Sequence, residues 1–267
     1  MLTRKRVPEL MDDPSLDYGS HVSALLGLER LNAASGGPSS IWAEIEPVAR
    51  LLNRPVRILD IATGGGDIPI AIYRMAQKAG VAVEIVASDI SSDALKYAAE
   101  SAAKKGAKIE FFPLDIFKDE LPSNFDVIMT SLFTHHLDAD DVIMLLRKMS
   151  GAARFKVIVN DLVRSEMSYV SVWLATRLLS RSPIVHYDGP VSVNASYTPS
   201  EFLNMAERAG LNVSQEKNLE SSVVAVKLIF PCRQLLTWQR SPKELEIEAN
   251  FNGSGQVNGA TGKIHHE

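Results

Sequence analysis

The apolar positions of the chain repeat with two periods, and the alternation between them predicts the architecture. From 17 to 31, Val22, Leu25, Leu26 and Leu28 recur at helical spacing, and the run Ala33-Ala34-Ser35-Gly36-Gly37-Pro38 stops that helix. A second helix is expected from about Ser40, with Ile41, Ile45, Val48, Ala49 and Leu52 on one face. The pattern then changes to short apolar runs separated by helical stretches, the signature of a parallel sheet covered by helices on both faces. The runs are 56–61, 81–88, 108–112, 126–131, 155–161, 211–215 and 223–229.

The intervening helices carry their own boundary signals. One starts at Asp67, read as an N-cap, has Pro69 in its first turn and stops at Gly80. The next begins near Ser91, with Leu95, Ala98, Ala99 and Ala102 on one side and Gly106 at its end. Asp138, Asp140 and Asp141 open a third, and Arg147 and Lys148 lie toward its end, matching the helix dipole. After the fifth run, 165–180 reads as an inserted amphipathic helix with Met167, Val170, Leu174 and Leu178 as its apolar stripe. Pro183, Gly189 and Pro190 make 181–196 read as a loop. Thr198-Pro199-Ser200-Glu201 is a capping box that starts a helix ending at Gly210.

This divides the chain into an N-terminal arm and helical lid (1–40), with 1–16 loose, a main α/β domain (41–240, insertion 162–197) and a disordered tail (241–267). Helices ahead of the first strand either cover a site or simply pack on the sheet edge, and the sequence leaves both open. His265 and His266 stand too far from other ligands to suggest a metal, so no metal site is expected. Hydrophobic residues at 46% with 22% charged suit a chain that buries a substantial core. A net charge of −4 gives no basic footprint for nucleic acid. Cys232 is the sole cysteine, so no intramolecular disulfide is possible and a reducing compartment is the simplest setting. No apolar run reaches the roughly 20 residues of a membrane span, and no apolar stretch follows the basic start, so a cytoplasmic protein is expected.

The chemistry concentrates where the first run meets its helix, Leu59-Asp60-Ile61-Ala62-Thr63-Gly64-Gly65-Gly66-Asp67. Gly64, Gly65 and Gly66 let a ligand lie against backbone, and the following helix turns its N–H groups toward an anion. The dinucleotide pattern G-x-G-x-x-G fails at Pro69, which counts against nicotinamide and flavin dinucleotides. Asp89, about 20 residues on at the end of the second run, suits ribose hydroxyls or caps the next helix. Asp115 and Ile116 follow the third run, where a carboxylate can take an adenine amino group. The fourth run delivers Ser131 and then His135 and His136 at its carboxyl end.

Taken in this order, the elements resemble the class I S-adenosylmethionine-dependent methyltransferases over about 56–229. Asn160-Asp161-Leu162-Val163-Arg164 and the segment from Arg181 through His186 to Val193 look like the ubiquinone/menaquinone-methyltransferase branch. Alanine stands at 62 where that family usually has glycine, and Asn194-Ala195 where related chains tend to be basic. The resemblance implies a Rossmann-like doubly wound, seven-stranded sheet whose last strand, here 223–229, is antiparallel. It implies S-adenosylmethionine as cofactor and S-adenosylhomocysteine as product. Asp60, Ala62, the three glycines, Asp89, Ile90, Asp115, Ile116 and Ser131 would line the cofactor, with Asn32 of the lid at its carboxylate or else a helix C-cap.

Methyl transfer from a sulfonium needs an aligned acceptor and, for a phenol, a base. His135 or His136 is the candidate, the alternative being a structural turn; His186 is a second candidate, with a surface role as its plainer reading. Asp161 and Arg164 either contact substrate or pair with one another to anchor the inserted helix. The expected acceptor is a small phenolic, quinone-like or polyketide-like molecule methylated on oxygen. A carbon methyltransferase and a cofactor-binding, non-catalytic partner subunit are the alternatives, and a homodimer is possible.

Overall fold

The computed structural model describes residues 3–13, 15–212 and 222–241. The tail expected from 241 lies, beyond Ser241 itself, outside the described residues, as does most of the strand expected at 211–215; Leu211 and Asn212 are not in a strand. The helices are α1 Tyr18–Ala34, α2 Gly37–Leu51, α3 Asp67–Ala79, α4 Ser92–Lys104, α5 Ala139–Ala152, α6 Glu166–Leu179, α7 Pro183–Ala195 and α8 Pro199–Arg208. The strands are β1 Val56–Ile61, β2 Val83–Asp89, β3 Ile109–Pro113, β4 Phe125–Ser131, β5 Ala153–Leu162, β6 Val223–Ile229 and β7 Arg233–Gln239.

They form one sheet in the order β3-β2-β1-β4-β5-β7-β6. The central strands are apolar on both faces because both faces are covered. Leu59 and Ile61 of β1 join Leu145, Leu146 and Met149 of α5 and Phe202 of α8 on one side. Val56 and Ile58, pointing the other way, pack with Ile41 and Ile45 of α2 and Ile68 and Ile72 of α3. Asp126 is the buried exception: its carboxylate takes Arg54 through two bonds of 2.7 Å and the Arg57 N–H at 2.9 Å, at the amino edge of the sheet.

The expected seven-stranded sheet is there, but the antiparallel strand is a different one. β7 runs antiparallel between β5 and β6, whereas Val223–Ile229 is β6, an edge strand pointing the same way as β1–β5. The turn at Phe230–Cys232 makes β6 and β7 a hairpin, and the apolar content of β7 is interrupted by Arg233, Gln234 and Thr237. The N-cap of α3 is Gly66 at φ +73°, not Asp67, whose carboxylate is engaged elsewhere. Thr198 and Glu201 do form the reciprocal capping box of α8.

Two further expectations need correcting. Residues 183–195, read as a loop, are helix α7. Gly189 serves packing rather than a turn, since a Cβ there would stand 2.6 Å from Thr176 Cγ2 of α6. The loosely drawn N-terminal arm is docked in its described part. The Lys5 N–H donates to Asn194 O at 2.9 Å, and Arg4 donates to the carbonyls of Ala195 and Leu137 at 2.7 Å. The α6 residues expected to bury an apolar stripe face outward instead: Met167, Val170, Leu174 and Leu178 are exposed, and Val172 and Thr176 are buried.

Gly36 and Gly66 both adopt left-handed backbone, yet only Gly66 is crowded, with Ala98 Cβ 2.9 Å from an added Cβ. Alanine at either position should cost about 1–2 kcal/mol of backbone strain. Urea unfolding should therefore show Gly66→Ala destabilised beyond Gly36→Ala; equal losses would mean that Ala98 yields freely.

Candidate active site

The carboxyl ends of β1, β2 and β4 open on one rim, and the loop after β1 shapes a cavity of about 590 Å³ there. Three of its residues are left-handed: Ala62 at φ +55°, Gly64 at +53° and Gly66 at +73°. Ala62 thus holds a conformation that glycine would adopt without strain, which explains why this position favours glycine in the family it resembles. A Cβ on Gly64 would meet nothing within 4 Å, so its backbone faces open space.

Carboxylates dominate this cavity. Asp60 is buried; its Oδ2 accepts the Thr63 hydroxyl at 2.6 Å while Oδ1 finds no partner. Burial, with Asp67 and Asp89 nearby, pushes Asp60 up to about 8. Asp67 accepts from Asn32 Nδ2 at 2.8 Å, and burial raises its pKa as well. Asp89 accepts the Gly64 N–H at 2.8 Å on one oxygen and the Ser91 N–H at 2.9 Å on the other. It therefore ties the glycine loop to β2, while Ser91 caps α4. Asp12, Asp13, Glu29, Asp93 and Asp115 also line the space, and no Lys or Arg does among the described residues. Such a field suits a cation.

The expected residues mostly gather here. Ala62, Gly64, Gly65, Ile90, Ile116 and Ser131 line the cavity, with Asn32 from inside α1 rather than as its C-cap, which is Ser35. Gly66 sits behind the loop, against Ala98. Asp115 is turned partly onto its own loop, accepting the Phe117 N–H at 3.0 Å and pairing with Lys118 at 2.8 Å.

A second cavity of about 260 Å³ adjoins the first, sharing Met11, Asp12, Leu28, Asn32, Leu132 and His136 as a common wall. Leu31, Leu162, Val172, Ala175 and Leu179 make most of it apolar, and Glu9, His135 and Arg233 are among the polar groups in it. His135 is buried. Its Nδ1 lies 2.7 Å from Asp161 Oδ1, and its Nε2 lies 3.5 Å from Glu9 Oε1. Asp161 is itself fixed by the Thr134 hydroxyl and by the N–H groups of His135 and Leu162. Although burial opposes the charge, the two carboxylates outweigh it and hold His135 at about 10, hence as an imidazolium at neutral pH. Glu9 is lowered in spite of its own burial by His135, His136 and Ser192.

Three sequence expectations fail. His186 lines neither cavity; its Nε2 lies 2.9 Å from Ser180 O and ties α7 to the end of α6. Asp161 and Arg164 do not pair: Asp161 serves His135, and Arg164 holds Glu201 at 2.7 Å and Ser196 O. Neither lines either of these two cavities. The absence of any metal expectation also meets a qualification, since Glu9, His135 and His136 bring ligand-type atoms within 4.8 Å of one another. Glu9 and Arg233 went unnoticed in the sequence. Their side-chain partners lie at least 73 residues away in sequence, and no local pattern marks them.

Residues 58–154 match a family model described as a methyltransferase domain. The chain is 32% identical over 88 residues to the ribosomal protein L11 methyltransferase of Geobacter sulfurreducens, covering 32% of this chain and 26% of that protein. The match thus spans about a quarter of that relative. It is 26% identical over 204 residues to the ubiquinone/menaquinone biosynthesis C-methyltransferase of Paraburkholderia phymatum, covering 72% of this chain and 82% of the relative. In fold it is similar to the magnesium protoporphyrin IX methyltransferase of Synechocystis with bound S-adenosylhomocysteine: TM-score 0.53, 13% identity, 86% of this chain and 90% of that one. Over residues 58–154 the chain is thus similar to a methyltransferase domain, and its fold is similar to that of a solved methyltransferase.

The orphaned Asp60 oxygen, the open face of Gly64 and the acidic lining would fit S-adenosylmethionine, the cofactor that the resemblance implies, which carries a sulfonium and an ammonium. Among the described residues no helix is long and apolar enough to cross a membrane.

Because His135 is raised from about 6.5 in the unfolded chain to about 10, its proton stabilises the fold fully below 6.5. That stabilisation declines above 6.5 and is gone once the pH has risen through 10. Melting temperature should therefore fall between pH 7 and 10 in the native protein and fall less in His135→Gln, as calorimetry would register. Parallel curves would contradict the imidazolium assignment.

Proposed function

We propose that the protein transfers the methyl group of S-adenosylmethionine to the hydroxyl oxygen of a small phenolic, quinone-like or polyketide-like acceptor held in the second cavity. The observation that carries this reading is the shared wall between an acidic, cation-seeking cavity and an apolar one that contains a base. The cofactor supplies an electrophilic methyl carbon, and the rest falls to the chain. Asp60 Oδ1 takes the ammonium, the glycine-loop backbone supports the methionine part, Asp89 takes the ribose hydroxyls with its remaining lone pairs, and Asp115 and Ile116 border the adenine.

Positioning alone can contribute roughly 7–11 kcal/mol to such a displacement. Deprotonation is assigned to the Glu9 carboxylate, held in place by the His135 imidazolium. Two carboxylates flank one imidazolium, so the set carries a net negative charge and accepts a further proton, with Glu9 at the cavity surface. Asp161 holds the ring by its Nδ1 and is a positioning residue. His136, on the shared wall with Asp12 3.3 Å from its Nδ1, orients the acceptor. Carbon methylation is the second reading, favoured by the named activity of the ubiquinone/menaquinone relative; the same unit would then ionise a ring hydroxyl and activate the adjacent carbon.

Asp60→Asn should weaken S-adenosylhomocysteine binding by about tenfold or more in calorimetry, the loss expected for a hydrogen bond to a charged group. Glu9→Gln and His135→Ala should each lower turnover by about 10²-fold with cofactor affinity retained. Proton NMR of the product separates O-methyl from C-methyl. Full turnover in both variants would leave positioning as the sole mechanism.

A further inference from the structure

Arg233 is the first residue of β7, buried at 3% exposure, and its guanidinium has no carboxylate within ion-pair distance among the described residues. All three partners are neutral. Nε donates to Ser35 Oγ and Nη1 to Asn160 Oδ1, each at 2.7 Å, and Nη2 donates to Asn32 Oδ1. One further N–H on each of Nη1 and Nη2 is left over, the number a carboxylate takes from a guanidinium fork. The start of α2 presses on the same group, for a Cβ on Gly37 would stand 3.1 Å from Arg233 Cζ. The positive end of that helix adds to the charge instead of offsetting it. A buried cation in this setting is expensive unless an anion joins it.

The register shows where that anion would lie. Arg233 pairs with Leu162, so it shares a face of the sheet with Leu162 and Asn160, whereas Asp161, which holds His135, points to the opposite face. Arg233 and His135 nonetheless both line the second cavity. Its volume of about 260 Å³ is that of one or two rings, given that an apolar cavity of about 150 Å³ holds benzene. The acids on this cavity, Glu9, Asp12 and Asp188, belong to the arm and to α7: Glu9 lies by His135, Asp12 by His136, and Asp188 accepts the Leu10 and Met11 N–H groups.

We infer that the acceptor is an aromatic hydroxy acid, its carboxylate gripped by the Arg233 fork and its hydroxyl presented to Glu9 and His135. This rests on the proposed methyl transfer and narrows its substrate class. Arg233 is then the specificity-determining residue. The Asn32 amide, which also binds Asp67, keeps the fork aimed into the second cavity and away from the cofactor's own carboxylate.

The test sets hydroxybenzoates and hydroxynaphthoates against their methyl esters, with the native protein, Arg233→Met and Arg233→Lys. The native protein should prefer acid to ester by about 10²-fold in kcat/KM, as expected for a buried charge pair. Arg233→Met should bring that ratio to about one, and Arg233→Lys should keep part of it, since an ammonium supplies charge without the fork. A native ratio near one overturns the inference even if both replacements fail to fold. So does a loss of S-adenosylhomocysteine affinity in Arg233→Met equal to the loss of acid affinity, which would assign the arginine to the cofactor. Calorimetry with the acids in the presence of S-adenosylhomocysteine separates this from the parent reading. Acids that bind more tightly than esters but are never methylated sink the methyl transfer and leave the anion site standing; acids and esters methylated alike do the reverse.

Discussion

One carboxamide joins the parts of this molecule that must agree. Asn32, buried inside α1, donates to Asp67 behind the glycine loop and accepts from Arg233 at the head of β7. It touches both cavities, so the wall between them is built on it. Because its donor and its acceptor are committed to groups of opposite charge, it has one orientation, and α1 with it. A helix that precedes the sheet in sequence is in this way locked onto the carboxyl rim of the sheet.

The arm completes the enclosure by similar means. Arg4 and Lys5 bind carbonyls at the end of α7 and beyond β4, and Glu9 reaches His135 and Ser192. These contacts bring the arm's carboxylate to the imidazole whose other nitrogen Asp161 holds. The site is thus assembled from polar contacts among the arm, the sheet rim and α7, beside apolar walls from α1 and α6.

How much of this the sequence shows depends on the range over which residues interact. The strands and the helices flanked by Gly66, Gly80, Gly106 and Gly210 are legible because apolar period and turn chemistry are local. So is the acidic cavity, whose acids fall at successive strand ends. The second cavity is not, because its polar groups meet across the fold. Helix α7 escaped notice since Gly189 and Pro190 read as breakers, whereas Gly189 is there to let α6 approach. β7 escaped notice because Arg233, Gln234 and Thr237 interrupt its apolar run while facing partners rather than water. The expected pairing of Asp161 with Arg164 failed for a related reason: each had a better partner from a distant segment.

The central claim is that donor and acceptor occupy adjoining cavities separated by the Leu132–His136 wall, with the base on the acceptor side. A crystal structure with S-adenosylhomocysteine and a hydroxybenzoate bound together tests it most directly. The account predicts the sulfur at that wall, the ammonium at Asp60, and the hydroxyl oxygen between the sulfur and the Glu9–His135 pair. A cofactor lying away from the glycine loop, or a hydroxybenzoate bound outside the second cavity, would contradict it.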